Sequence, residues 1–254
     1  MKKVLEKIGN WIVKEVKDYK LLLRSVPSIV TVLFVLSVVL MNLMANKVMF
    51  RWGDYVAADG GLLLSWIPFL CMDIVVKRFG PKAATKLNIL AVVMNIFCVL
   101  IFAGIAAIAG DGNDYSAFNQ VFSCTWFILL GSTVAMVVAA IVNNVLNWFI
   151  GKLFKKNPDG KLAYVSRSYI STFAAQFVDN FLFAFIVFTI FAPIYWLGFE
   201  AFSIWLCIAC GIGGAILELL MEVIFSPIGY RVVKSWKKEN VGSQYLEAHP
   251  ELEE

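Results

Sequence analysis

Long apolar segments alternate with short polar connections along most of the chain. Most of these segments reach the roughly 20 residues that a helix needs to cross a bilayer. Six of them can be marked, at residues 27–48, 61–76, 87–109, 121–148, 169–193 and 202–229. The pattern predicts an all-α integral membrane protein whose residues 27–230 form a compact bundle of six transmembrane helices.

The two ends of the chain have a different pattern. Residues 1–26 place apolar side chains such as Leu5, Ile8 and Trp11 at helical spacing among lysines. This arrangement is typical of an amphipathic helix that lies in the membrane interface. Residues 231–254 are polar, and we expect a cytoplasmic tail that is disordered at its end.

Composition agrees with a membrane location, and the placement of the charges gives an orientation. Of the 254 residues, 60% are hydrophobic and 16% are charged, far from the average of soluble domains. If both termini are cytoplasmic, only Lys47 and Arg51 of the 22 Lys and Arg residues lie outside, as the positive-inside rule requires. The net charge of +4 is then explained by attraction to anionic lipid, so no nucleic-acid partner is expected.

The fifth apolar segment carries Gln176, Asp179 and Asn180 near its middle. Thr172 and Phe183 share a helix face with Gln176 and Asp179. An ionisable residue in mid-membrane costs about 2.5 to 3.5 kcal/mol, so it normally faces a bundle interior or a watery cavity. We therefore predict a polar cavity that binds a solute. A buried hydrogen-bonded network without a ligand is the alternative.

Other polar and aromatic residues of the apolar segments are candidates to line the same cavity. Interhelical hydrogen bonding explains the asparagines about as well, and Asp73 is one helical turn from Lys77, which favours an ion pair. Glu222 lies one turn from Glu218, so the two carboxylates repel unless a proton or a cation is near, or a lysine pairs with them. The predicted substrate-binding residues are Asn42, Asn46, Trp66, Asp73, Asn143, Gln176, Asp179, Asn180, Phe183 and Glu222.

The sequence gives little support for enzymatic or metal chemistry. Cys207 and Cys210 form a C-x-x-C motif, but the segment lacks a second pair or a histidine. His249 is the only histidine and lies in the tail, and no P-loop motif occurs. We predict a protein that is not an enzyme and that needs no metal or cofactor. An Asp73 and Asp179 aspartyl pair would be a formal alternative, but no flanking motif supports it.

Four stretches of the sequence resemble the queuosine precursor transporter family, which is also called the vitamin uptake transporter family. They extend over residues 40–235, nearly the whole membrane domain. The stretches are Asn42-Leu-Met-Ala-Asn-Lys47, Pro68 with Asp73 and Phe79-Gly80, the segment from Arg167 to Phe183, and Ser226-Pro-Ile-Gly-Tyr230. Departures also occur, because the family usually has an acid at the position of Lys77, a Gln near Ala140 and a Lys near Glu218.

The resemblance implies a six-span importer of 7-deazaguanine bases, the cyano and aminomethyl precursors of queuosine, in the plasma membrane of a bacterial or archaeal cell. A guanine-like edge presents a ring N–H and an amine side by side, and a carboxylate accepts hydrogen bonds from both. Asp179 is our candidate for that role, with Gln176 and Asn180 for the carbonyl and ring nitrogens. Expected partners are this small molecule and the lipid bilayer, with the protein a monomer or a homodimer.

A second function stays open from the sequence. Substrate-binding subunits of energy-coupling-type vitamin importers are also compact six-span proteins, and they commonly dock through an Ala-x-x-x-Ala pattern on their first span. The first apolar segment here has no such pattern. Copurification with an ATPase would favour this alternative.

Overall fold

The computed structural model describes residues 2–153 and 161–252, and within them it leaves out the side chains of residues 2–5, 8, 144, 147, 148, 151–153, 161–169 and 222. The fold is almost entirely helical. Its α-helices are α1 (Lys2–Ser25), α2 (Ser28–Met44), α3 (Trp66–Ala106), α4 (Ser116–Leu153), α5 (Lys161–Ala184), α6 (Ala192–Tyr195), α7 (Ile204–Lys238) and α8 (Ser243–Glu247). A π-helix, Phe185–Phe191, joins α5 to α6, and short 3₁₀ helices cover Gly60–Leu64 and Pro250–Leu252.

Several helices are long and apolar enough to cross a membrane. In the described part of the chain they are Trp66–Ala106, Ser116–Asn143, Ile170–Tyr195 and Ile204–Met221. The pair Gly9–Ser25 and Ser28–Met44 forms a fifth candidate, although it is bent by 105°. Pro27 lies at this bend, and a proline disfavours helical backbone in the residue before it. The protein is therefore an all-α, multi-pass membrane protein.

Helix α3 is broken at Gly80, between the segments that the sequence assigns to the second and third spans. Gly80 has φ 82° and ψ 169°, a conformation that other residues rarely adopt. A Cβ atom at this position would also come within 2.6 Å of the Leu252 side chain. Pro81 follows directly. The predicted connection of about ten residues is thus a tight break between two helical segments.

A small β-hairpin follows α2, where the sequence predicts only helix and loop. Strands β1 (Val48–Trp52) and β2 (Val56–Asp59) are antiparallel, with Trp52 opposite Val56. The hairpin returns the chain to the C-terminal end of α2, where a Cβ atom on Gly60 would come within 2.7 Å of the Met44 carbonyl oxygen. This close approach needs glycine, and it places Asp59 inside the bundle.

Small residues let α4, α5 and α7 pack closely. A Cβ atom on Gly131 would come within 2.6 Å of Val187, and one on Gly211 within 2.8 Å of Phe177. Gly214 is equally tight, because a Cβ atom there would come within 2.4 Å of the Asn180 side chain. The polar residues of α5 are therefore pressed against α7.

One end of the bundle gathers α1, the break in α3 and α8. Phe79 is fully buried there, with its ring centroid 6.0 Å from Trp236 and 5.9 Å from Tyr245. Arg78 Nη2 donates to the Val241 carbonyl oxygen at 2.8 Å. We call this end the terminal cluster, defined by Phe79, Trp236 and Tyr245 together with the charged residues Glu15, Asp18, Lys86 and His249.

The terminal cluster changes the expected picture of the tail. Instead of a disordered end, the structure has α8 and a 3₁₀ turn, and Tyr245 and Leu246 are 1% and 2% exposed. The ring of Tyr245 lies beside Phe79, and the burial of apolar surface gives the segment a reason to fold. Residues 253 and 254 lie outside the described part of the chain.

The opposite end joins the β-hairpin to the connection between α6 and α7. Arg51 Nη1 donates to the Glu200 carbonyl oxygen at 3.2 Å, and its guanidinium lies 5.0 Å from the centre of the Phe202 ring. This cation–π contact and hydrogen bond hold the hairpin over the end of the bundle.

Candidate functional site

Two adjoining cavities lie among α2, α3, α4, α5 and α7. One has a volume of about 110 Å³ and is lined by the carboxyl groups of Asp59, Asp179 and Glu218; we call it the acidic cavity. The other has a volume of about 300 Å³ and is lined by the rings of Trp66, Phe69 and Phe225; we call it the aromatic cavity. Phe69 and Glu218 line both, so the two cavities share a wall.

The polar residues of α5 divide between these cavities. Thr172 and Gln176 line the aromatic cavity, whereas Asp179, Asn180 and Phe183 line the acidic cavity. The helix face predicted from the sequence therefore turns inward, away from lipid. Its successive turns face two spaces rather than one.

Residues from three other helices complete the lining. Asn42 of α2 is 5% exposed and lines the acidic cavity. Trp66 and Asp73 of α3 and Asn143 of α4 line the aromatic cavity. The structure thus brings together residues that are more than 130 positions apart in the sequence.

Glu218 of α7 is the most buried carboxyl group at the site, at 6% exposure. Its Oε1 accepts a hydrogen bond from Asn180 Nδ2 at 3.2 Å, and the same amide donates to the Gln176 carbonyl oxygen at 2.9 Å. No lysine pairs with Glu218 among the described residues, and Lys77 pairs with Asp73 instead. Sequence reasoning chose Glu222 instead, although Glu218 follows the close-packing glycines by four residues.

Asp59 reaches the acidic cavity from outside the helices, and sequence reasoning missed it. Its Oδ1 accepts hydrogen bonds from the backbone N–H groups of Gly61 at 2.7 Å and Leu62 at 3.3 Å, which caps the 3₁₀ helix. Burial raises the pKa of Asp59 to about 6, against the lowering effect of these two hydrogen bonds. The one available signal was an acid directly before Gly60 and Gly61.

Several buried oxygen atoms around the cavities have no hydrogen-bond partner. They are Asn143 Oδ1, Gln176 Oε1, Asp179 Oδ1 and Glu218 Oε2. A buried polar group without a partner costs about 1 to 3 kcal/mol, and native proteins carry few of them. All four atoms accept hydrogen bonds, so the site is suited to a ligand that donates them.

Two of the candidate residues already have a close protein contact. Asp73 Oδ2 lies 2.7 Å from Lys77 Nζ, so the ion pair predicted from their spacing is confirmed, while Asp73 also lines the aromatic cavity. Trp66 stacks on Phe225 with ring centroids 4.3 Å apart and planes at 16°. One face of the indole is therefore covered by protein.

Asn46 lies away from both cavities. Its Nδ2 donates to Thr125 Oγ1 at 3.2 Å, which ties the end of α2 to α4, and it lines a separate cavity with Gln120 and Trp196. Asn46 is four residues after Asn42, a spacing that puts two residues on one face of a continuous helix, but α2 ends at Met44. The chain has turned by position 46, so the helical spacing no longer applies. The side chain of Glu222, another candidate, lies outside the described residues.

No group of three Asp, Glu, His or Cys side chains in the described residues is close enough to hold one metal ion. The five cysteines are not joined by disulfides, and Cys207 Sγ lies 3.3 Å from Thr189 Oγ1. These side chains therefore pack within the helix bundle.

An apolar helical bundle that encloses polar cavities defines a multi-pass membrane protein built to hold a small solute. Residues 59–232 match the family described as "Putative vitamin uptake transporter", and the chain belongs to this family. The protein is therefore a transporter rather than an enzyme. No curated protein and no solved structure matches the chain.

Proposed function

We propose that the protein imports a queuosine precursor, a base of the 7-deazaguanine class, by alternating access to the two cavities. Three buried acceptor oxygens without donors carry this proposal: Asn143 Oδ1, Gln176 Oε1 and Asp179 Oδ1. Asn143 and Gln176 line the aromatic cavity, whose walls are otherwise mostly apolar, and Asp179 lines the adjoining acidic cavity. A flat heterocycle with several N–H groups supplies the missing donors.

The hydrogen-bonding edge of such a base fits Asp179. A deazaguanine presents a ring N–H and an exocyclic amine next to each other, and one carboxylate accepts from both. Gln176 lies three residues before Asp179 on the same helix face, so its amide meets the neighbouring polar atoms of the ring. Sites that pair buried groups with a substrate's N–H discriminate strongly against analogues that lack it.

The aromatic cavity suits the faces of the ring. Trp66 and Phe225 are already stacked, which holds the indole in one orientation. Stacking of a base on an aromatic side chain is worth about 1 to 3 kcal/mol. The cavity volume of about 300 Å³ is at the lower end of the range for small-molecule sites.

The carrier proposal includes a topology of six spans with both termini in the cytoplasm. α1, the break at Gly80 and α8 meet at one end, and the β-hairpin, residues 115–121 and residues 196–203 meet at the other. α2 and the two segments of α3 then each cross once, as do α4, α5 with its π-helical extension, and α7. The lysine-rich α1 supports the cytoplasmic assignment of the first end.

Uptake of labelled base by cells that lack their own synthesis route tests the proposal. We expect Asp179→Asn to lower uptake by at least ~10-fold, because an amide presents N–H donors where the base also has donors. The matched control is Asp54→Asn, which makes the same substitution at an exposed carboxyl near the opposite end. Both variants should reach the membrane in equal amounts.

Uptake at the wild-type rate in Asp179→Asn would remove that residue from the site. Thermal shifts with guanine, both deazaguanine precursors and a panel of vitamins identify the substrate directly. Stabilisation by a vitamin and by neither precursor would replace the proposed substrate while keeping the transporter assignment. Copurification of an ATPase would favour the energy-coupling alternative.

A further inference from the structure

The acidic cavity combines three carboxyl groups with no basic side chain. Asp59, Asp179 and Glu218 line it, together with the amides of Asn42 and Asn180, and no Lys, Arg or His is among its lining residues in the described part of the chain. Like charges in a small buried space repel one another unless one group is protonated or a positive charge is present. Two lysines elsewhere in the described residues, Lys77 and Lys86, are engaged with other acids.

Glu218 provides an independent indication of a bound ligand. The residue is only 6% exposed. Its Oε1 accepts a hydrogen bond from Asn180, and its Oε2 has no hydrogen-bond partner among the described residues. The Asn180 contact fixes the orientation of the carboxyl group and leaves the other oxygen at the cavity wall. A ligand that carries a hydrogen-bond donor or a positive charge satisfies a buried carboxylate oxygen in this position.

The end of α2 adds to the negative potential. Met41, Asn42 and Ala45 line the acidic cavity, and they form the C-terminal turn and cap of that helix. The C-terminus of a helix carries about half a negative charge, which favours cations within the last turn. Helix C-termini in discontinuous membrane helices are used in this way to bind coupling ions.

Size and geometry restrict the charge of this ligand. The acidic cavity has a volume of only about 110 Å³, and no three acidic groups in the described residues converge on one point. A divalent metal normally requires a closer set of charged oxygen ligands. A monovalent cation needs fewer charged ligands, and neutral amide oxygens such as that of Asn42 can complete its coordination shell.

We propose that the acidic cavity is a binding site for a monovalent cationic group, held by Glu218 and Asp59 at the end of α2. The cation is either an inorganic ion such as Na⁺, taken up with the solute, or an ammonium group on the solute itself. Binding of an inorganic cation does not depend on the proposed function, whereas binding of an ammonium group on the solute rests on it.

Thermal unfolding of the purified protein without solute tests the cation site. Chlorides of sodium, potassium, methylammonium and choline are compared at equal ionic strength, with choline as the bulky reference. We expect sodium or methylammonium to raise the Tm by a few degrees, because a ligand that binds only the folded state stabilises it. Glu218→Gln should raise the apparent Kd of that cation at least ~10-fold.

The matched control is Glu200→Gln, which makes the same change at an exposed glutamate and should keep the full shift. Asp59→Asn is a second variant, since asparagine also caps helices and the fold is expected to survive. A sodium response identifies an inorganic ion, and a response to methylammonium alone identifies an ammonium group. Equal Tm values in all four salts, or an unchanged Tm shift in both Glu218→Gln and Asp59→Asn, would overturn the proposal. Deazaguanine binding is measured separately with Asp179→Asn, so a failure of the proposed function is distinguished from a failure of the cation site.

Discussion

The terminal cluster and the acidic cavity both contain ionisable residues in a mostly apolar protein, but the two regions differ in how those residues are paired. In the terminal cluster, Lys86 Nζ lies 2.9 Å from Glu15 Oε2 and also contacts Asp18, and His249 Nε2 lies 3.1 Å from Asp18 Oδ1. Acids there are matched by bases. In the acidic cavity, Asp179 Oδ1 and Glu218 Oε2 have no hydrogen-bond partner among the described residues.

We infer from this difference that the polar groups of the terminal cluster stabilise the fold and that those of the two cavities bind the solute. Charges that satisfy one another hold α1, α3 and α8 together and leave nothing for a ligand to bind. Buried acceptors without donors cost stability, and a protein retains them where a ligand compensates. The acidic and aromatic cavities are therefore the place to look for transport, and the terminal cluster is the place to look for stability.

The largest expected effect is on stability, at the terminal cluster. Phe79→Ala removes a fully buried ring that contacts Trp236 and Tyr245, and we expect a loss of about 3 to 5 kcal/mol in unfolding free energy. Uptake per folded molecule should stay unchanged. Thermal or denaturant unfolding in detergent, with Phe97→Ala as the control at a 56% exposed ring, measures this difference.

A smaller loss of stability is expected for Asn180, which holds Glu218 in the wall that the two cavities share. Asn180→Ala removes the amide that donates to Glu218 Oε1, so neither carboxylate oxygen keeps a hydrogen-bond partner within the described part of the chain. We expect a loss of about 1.5 to 3 kcal/mol, the range for hydrogen bonds to charged groups. The exposed amide in Gln244→Ala is the matched control, and equal unfolding free energies for the two variants would contradict the role of this bond.

Trp66→Ala tests whether the aromatic cavity binds the solute. Loss of one stacking surface should weaken deazaguanine binding by about 1 to 3 kcal/mol, roughly 5-fold to 150-fold in Kd. Trp205→Ala removes an indole that is 74% exposed and should leave the Kd unchanged. Titration of purified protein with the base measures both. If the two variants bind equally well, the stacked pair of Trp66 and Phe225 only fills space.

The smallest effect is expected at Asp73, which belongs to an ion pair and also lines the aromatic cavity. Its side chain is 29% exposed and that of Lys77 is 45% exposed, so Asp73→Asn should change stability by about 0 to 1 kcal/mol. Since its charge is already matched, we expect the solute Kd to stay within ~3-fold. Lys77→Gln is the matched control. A much weaker Kd in Asp73→Asn alone would assign the carboxylate to the solute.

The sequence by itself determined the class of protein and the face of α5 that lines the two cavities. Apolar length gives the membrane helices, and the 3.6-residue period puts Gln176, Asp179 and Phe183 on one side of α5. The four-residue interval between Asp73 and Lys77 predicted their ion pair. These features are local, and local spacing is what a sequence records.

Only the tertiary structure decided what each face meets. Asp59 enters the acidic cavity because the β-hairpin folds back on α2, and Glu218 because α7 packs against Asn180; neither follows from periodicity. Asn46 leaves the expected face because α2 ends two residues before it, and the tail folds because Phe79 offers it an apolar surface. Periodicity fixes the direction of a side chain on its helix, whereas its neighbours are set by long-range packing.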